Sequence, residues 1–220
     1  MFPLRSTERV VNATPMTILL IAVNVVVFIY QNLLTPPAHD EFLLRYALIP
    51  DRLHYSALVT SMFLHGGWMH IIGNMLFLWV FGRNLEDVMG SGRFFAFYMM
   101  CGILAGITHI LLNAYSPLPT IGASGAIAGV MGAYLVKFPG AKIVTLFFIV
   151  FFVTTVELPA AFVLLYWFVL QIFSGVGSIS TTSYAGGGTA WFAHIGGFIA
   201  GMLLIRRFQT RRRFAYHNWE

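Results

Sequence analysis

From Met16 to Leu34 the chain carries no acid and no base, and comparable stretches recur to its end. About 20 apolar residues are enough to carry a helix across a ~30 Å hydrocarbon core. Inside lipid every backbone polar group must be satisfied within the chain, which leaves helices or closed barrels. The recurring runs here have helical length. Hydrophobic residues make up 58% of the chain and charged residues 10%, against about a quarter charged in soluble domains. The expectation is an all-α polytopic membrane protein, a single domain over 1–220 with its core at about 16–206.

Candidate spans are 16–34, about 66–82, 94–113, 123–137, 158–175 and 190–206. The first follows Arg5 and Arg9 as a signal peptide would. It outruns a signal's apolar core and ends in no small-residue cleavage site, so it reads as a membrane helix. The stretch "IVTLFFIVFFVTTV" at 143–156 offers a seventh crossing, and charge decides against it. With six spans, Arg5, Arg9, Arg83, Arg93, Lys137, Lys142, Arg206, Arg207, Arg211, Arg212 and Arg213 lie on one side. Only Arg45 and Arg52 lie on the other. That bias puts both termini in the cytoplasm. A seventh span would move the C-terminal arginines out, so 143–156 is expected to be interfacial or re-entrant.

The outer loop 35–64 mixes apolar and charged residues, like a segment lying in the membrane interface. The fifth loop, "GVGSISTTSYAGGG", is rich in Gly, Ser and Thr and is expected to be mobile. Basic residues at membrane edges fit lipid headgroups and topology, not nucleic acid. A single cysteine, Cys101, rules out an intramolecular disulfide framework. Short tails and the lack of a transit-like N-terminus point to a prokaryotic plasma membrane.

Polar side chains at membrane depth are expensive and mark functional sites by default. His70 and Asn74 share a face of the second span, with His65 about a turn earlier. Ser124 stands near the outer end of the fourth span, in "TIGASGAIAGV". His194 opens the sixth, "WFAHIGGFIAGMLL", on one stripe with Gly197 and Gly201. Gly125, Ala128, Gly129 and Gly132 bare a face of the fourth helix, and two such faces let backbones approach closely. A serine hydroxyl needs an adjacent base, and neutral imidazole suits that role. Asn74, His70 and the Ser124 N–H at a helix N-terminus could donate to an oxyanion. From Ser124 to Lys137 a helix rises only ~20 Å, so the preceding loop must dip inward and Ser124 lies in a submerged, protein-lined chamber.

The ordered set "HGGWMHIIGN" (His65, His70, Asn74), "GASG" (Gly122 to Gly125) and "AHIGGFIAG" (Ala193 to Gly201) resembles the rhomboid family of intramembrane serine proteases. The resemblance runs from the first span to the last. It implies a six-helix bundle without cofactor or metal, in which Ser124 attacks and His194 serves as base and then acid. His70, Asn74 and the Ser124 N–H would stabilise the oxyanion, with Gly122 as a further backbone donor and His65 as possible support. It implies transmembrane protein substrates cut near the outer face, with small residues before the cut and helix-weakening residues after it. Substrates would be admitted near the second and fifth spans, about Trp79 and Trp167 to Phe168, beneath a mobile fifth loop. Two features depart from the pattern. Ala128 stands where some bacterial members carry a Tyr that packs on the histidine, so other contacts must orient His194. A Trp-Arg pair is not evident in 35–64.

The other polar residues carry blander readings. His39, His54, His109 and His217 are expected in loops or at the interface, Trp68, Trp79, Trp167 and Trp191 as packing or anchors. Glu86 and Asp87 are expected to organise an inner turn, and Glu157 to cap the fifth span. No HExxH, no pair of intramembrane aspartates and no midplane carboxylate supports metalloprotease, aspartyl protease or transporter chemistry. The alternative of another class is a non-catalytic rhomboid-like protein that binds membrane clients; such proteins typically lose the Ser or the His, and both are present here.

Overall fold

The computed structural model describes residues 2–149, 152–180 and 191–209. A short strand, β1 (Phe2–Ser6), precedes α1 (Pro15–Leu33), whose proline near the first turn needs no N–H partner. The outer loop folds into α2 (Pro36–Tyr46) and α3 (Ala57–Thr60), with 3₁₀ turns at Pro50–Arg52 and Ser61–Phe63. α4 (Trp68–Phe77) passes through a π-helical turn at Leu78–Gly82 into α5 (Arg83–Met89), making one continuous helix. α6 (Ser91–Leu112), α7 (Ser124–Lys137), β2 (Lys142–Ile149), β3 (Phe152–Pro159), α8 (Ala160–Ser180) and α9 (Trp191–Phe208) follow.

Each segment expected as a span contains a helix, although 158–159 belong to β3 and 66–67 precede α4. Two, Pro15–Leu33 and Ser91–Leu112, are long and apolar enough to cross a membrane by those measures alone. α7 has 14 residues and is as short as its sequence requires. The glycine-rich loop begins later than expected, since α8 continues to Ser180; its residues 181–190, like His217 and Arg211 to Arg213, lie outside the described residues.

The segment 143–156 is not a helical crossing: β2 and β3 form an antiparallel hairpin, β1 adds to its edge, and the sheet order is β1-β2-β3. The expected helical bundle is found, with a small three-stranded sheet added to it. β-branched residues suit a pleated, half-buried surface, and here Ile143, Val144 and Thr145 are buried while Thr154 to Glu157 are exposed. Glu157 does not cap α8. It sits in β3, with its carboxylate 3.7 Å from Lys142 Nζ.

A buried carboxylate holds the sheet end of the bundle. Glu86 is 1% exposed and accepts from the Met16 N–H at 2.9 Å, the Thr17 N–H and hydroxyl at 2.7 Å each, and the Ser91 hydroxyl at 2.7 Å. It faces the N-terminus of α1, where a negative charge complements the helix dipole. The next residue, Asp87, accepts from the Asn12 N–H at 2.8 Å and the Asn12 amide at 2.6 Å. Gly90, at φ 78°, lets the chain turn directly from α5 into α6. The inner-turn role expected of these acids is what the geometry shows.

Glu86→Ala would leave several buried donors unpaired at about 1–3 kcal/mol each. The expected result is a loss of ~3 kcal/mol or more, read from thermal unfolding in detergent. Glu157→Ala, removing a half-exposed pair, should cost under ~1 kcal/mol.

Candidate active site

The site is built on the contact between α7 and α9. A Cβ added at Gly197 would collide with the Gly125 carbonyl oxygen, at Gly201 with that of Gly129, and at Gly132 with that of Phe198. Gly129 also leaves room for Cys101 of α6, and Gly125 for Ala105. The two backbones touch where any side chain would part them. This closeness brings the Oγ of Ser124, the first residue of α7, to 2.7 Å from Nε2 of His194.

The loop before α7 is pinned to the outer loop. Leu48 and Thr120 exchange backbone hydrogen bonds of 3.0 and 2.8 Å, and the Gly122 N–H donates to the Ser61 carbonyl at 2.8 Å. His109 is not the loop residue expected. It is buried in α6, with Nε2 2.9 Å from the Thr120 hydroxyl. Gly122, at φ 124°, takes a conformation that L residues rarely adopt, and a Cβ there would fall on the His70 imidazole. Its N–H is engaged by Ser61, so the expected further oxyanion donor is not available; Gly122 supplies the turn and the room for His70.

A cavity of about 590 Å³ lies against the pair. Its walls come from α4 (Met69, His70, Asn74, Phe77), the loop at Pro119 and Ile121, α7 (Ser124, Ile127, Met131), Trp167 of α8 and His194. The Gly66 N–H donates to Nδ1 of His70 at 3.3 Å. A neutral ring so bonded carries its proton on Nε2, the nitrogen beside Gly122. Asn74 is buried, and its Nδ2 has no hydrogen-bond partner. The Ser124 N–H lies in a helical first turn, where no intrahelical acceptor exists. His70, Asn74 and Ser124 thus all line one cavity. Apart from them, His65 does not line the cavity; it packs edge-on against His70 at 5.1 Å and Phe28 at 6.5 Å, and Gln31 of α1 bonds its backbone. Trp167 lines the cavity, whereas Trp79 stacks beneath Arg83 at 4.3 Å.

The contacts that orient His194 in place of the residue at Ala128 come from α8 and from Trp191. Trp167 lies 5.6 Å from the imidazole and Trp191 6.3 Å, edge-on. Gln171 Oε1 is 2.8 Å from His194 Nδ1. Sequence reading passed over Gln171, although it is the one carboxamide between Leu158 and Phe173. Among the described residues no group of three His, Cys, Asp or Glu is placed to hold a metal.

A serine on a helix N-terminus, a histidine at hydrogen-bond distance and a cavity lined in part by His70 and Asn74 thus meet inside a mostly apolar helical bundle. The Rhomboid domain family profile matches residues 52–210, most of the chain; the chain belongs to the rhomboid family, integral membrane proteins that are generally serine proteases. Rhomboid protein 1, mitochondrial, of Saccharomyces cerevisiae is 34% identical over 135 residues, 59% of this chain and 38% of the relative. Rhomboid protease GluP of Bacillus subtilis is 35% identical over 138 residues, 60% of this chain and 27% of the relative. Human presenilin-associated rhomboid-like protein, mitochondrial, is 28% identical over 134 residues, 58% and 34% of the two chains. The matches cover less than half the length of each of these relatives.

Gly122→Ala should strain the turn and displace His70, at a cost of ~1–3 kcal/mol. The expected drop in thermal midpoint contrasts with Gly140→Ala, where an added Cβ meets open space and no drop is expected.

Proposed function

We propose that this chain is a serine endopeptidase that cleaves transmembrane segments of single-pass membrane proteins, with Ser124 as nucleophile and His194 as base. The observation that carries this is the 2.7 Å contact between Ser124 Oγ and His194 Nε2 at the wall of a cavity that His70 and Asn74 also line. Family membership supports the class of reaction, and the name of the Bacillus subtilis relative describes a protease.

In this reading His194 Nε2 takes the hydroxyl proton as Ser124 Oγ attacks the scissile carbonyl. The developing oxyanion receives Asn74 Nδ2, His70 Nε2–H and the Ser124 N–H. His194 then gives its proton to the leaving amine, and a water activated by the same ring releases the acyl group. The chain acts as one rhomboid domain crossing the bilayer six times, with α4–α5 as the second crossing. The basic residues at the sheet end put both termini in the cytoplasm and open the site to the outer face. The membrane is read as a prokaryotic plasma membrane; relatives come from both bacteria and mitochondria.

The test is cleavage of a fluorescently tagged single-pass transmembrane peptide co-reconstituted in liposomes. Ser124→Ala and His194→Ala should each abolish cleavage without loss of fold, and Asn74→Ala should lower kcat by ~10²–10³-fold, as for one oxyanion donor. Equal turnover by Ser124→Ala and wild type would refute the proposal. Folded wild type that captures the peptide without cutting it would favour a client-binding role.

A further inference from the structure

The dyad reading leaves one buried polar contact without a role. Gln171 is 6% exposed in an apolar stretch of α8, and a buried amide is costly unless its groups are bonded. Both ends of this one are. Its Nε2 donates to the Trp167 carbonyl one turn earlier, at 3.2 Å. Its Oε1 lies 2.8 Å from His194 Nδ1.

Each contact constrains the other. A backbone carbonyl can only accept, so the amide nitrogen must face Trp167 and the amide oxygen must face the imidazole. That oxygen can only accept, so Nδ1 must carry a proton. A neutral ring has one proton, which leaves the lone pair on Nε2, 2.7 Å from the Ser124 hydroxyl. The hydroxyl then donates to Nε2, the direction that activates a nucleophile. Trp167 and Trp191 restrict the ring's plane, but aromatic faces do not distinguish one tautomer from the other. Ala128, fully buried, offers the ring no polar group.

We propose that Gln171 is a positioning residue that holds His194 in the Nδ1–H tautomer and so completes a Ser124–His194–Gln171 relay. This rests on reading Ser124 and His194 as nucleophile and base. In the familiar triad a carboxylate performs this task and also stabilises the imidazolium. In a bundle at membrane depth a carboxylate is expensive, whereas an amide accepts the same hydrogen bond without a charge. The amide therefore selects the tautomer and orientation while adding no counter-ion. The ionisable side chains acting on His194 across space are His70 of α4 and His109 of α6, and neither supplies a negative charge.

The test combines one measurement on unmodified protein with a pair of variants. In detergent-solubilised wild type labelled with ¹⁵N-histidine, and assigned by comparison with His194→Gln, His194 should show the Nδ1-protonated tautomer near neutral pH. The second-order rate of Ser124 phosphonylation by a fluorophosphonate probe should fall ~10–10²-fold in Gln171→Leu, the scale of leaving a buried hydrogen-bond donor unsatisfied. Gln171→Glu should recover much of the rate and move the acid limb of the pH–rate profile upward, because a carboxylate favours the imidazolium. An Nε2-protonated His194 in wild type would overturn the proposal whether or not the Gln171 variants fold. So would an unchanged rate and profile in folded Gln171→Leu while wild type still reacts at Ser124. Wild type with the Nδ1–H tautomer but no Ser124 adduct would instead refute the dyad reading, and the role of Gln171 with it.

Discussion

The backbone contact between α7 and α9 is the constraint on which the site depends. Side chains normally hold helix axes 8–10 Å apart, but here carbonyl oxygens of Gly125 and Gly129 occupy the places that Cβ atoms of Gly197 and Gly201 would take. No hydrophobic force favours helix association in lipid, so this close fit and the few buried polar bonds must supply it. Because the helices pass so closely, a short serine side chain can reach a histidine 70 residues away in the chain. The glycines therefore set the geometry of the proposed dyad, though none belongs to it.

A second principle governs the polar groups: among the described residues, the buried side chains at both ends of the bundle are tied by hydrogen bonds between elements. Glu86 gathers donors from α1 and α6, Gln31 bonds both backbone groups of His65, and His109 meets Thr120. These bonds fix the two ends of the bundle and the loop that delivers Ser124. Asn74, by contrast, is a residue of the cavity wall whose Nδ2 makes no hydrogen bond within the chain, and the proposed reaction would give that donor an acceptor in the oxyanion.

Much of this was legible in the sequence, and what was not has physical causes. The helical segments follow from runs of apolar residues that water cannot accommodate. The meeting of Ser124 with His194 follows from glycines spaced along one stripe of each helix. The hairpin at 143–156 was hidden because a β-branched apolar run looks alike whether it pairs as strands or lies in a membrane interface; its pairing with Phe2–Ser6 joins segments far apart in the chain. Glu157 looked like a cap because it precedes a proline, but cross-strand pairing with Lys142 claimed it. Gly122 was expected as a donor from the family resemblance alone, and only the fold shows that Ser61 takes its N–H. Gln171 was overlooked because a lone amide in an apolar helix has no motif; its partner lies on another helix. Its polarity at membrane depth was the available signal.

The central claim is that packing of α7 on α9 makes Ser124 a nucleophile. It is tested most directly by reacting detergent-purified protein with a fluorophosphonate and mapping the adduct by mass spectrometry. The account expects one phosphonylated residue, Ser124, with labelling lost in His194→Ala and lost on heat unfolding. No adduct in folded protein under conditions where an active rhomboid protease reacts, or labelling indifferent to His194, would contradict it.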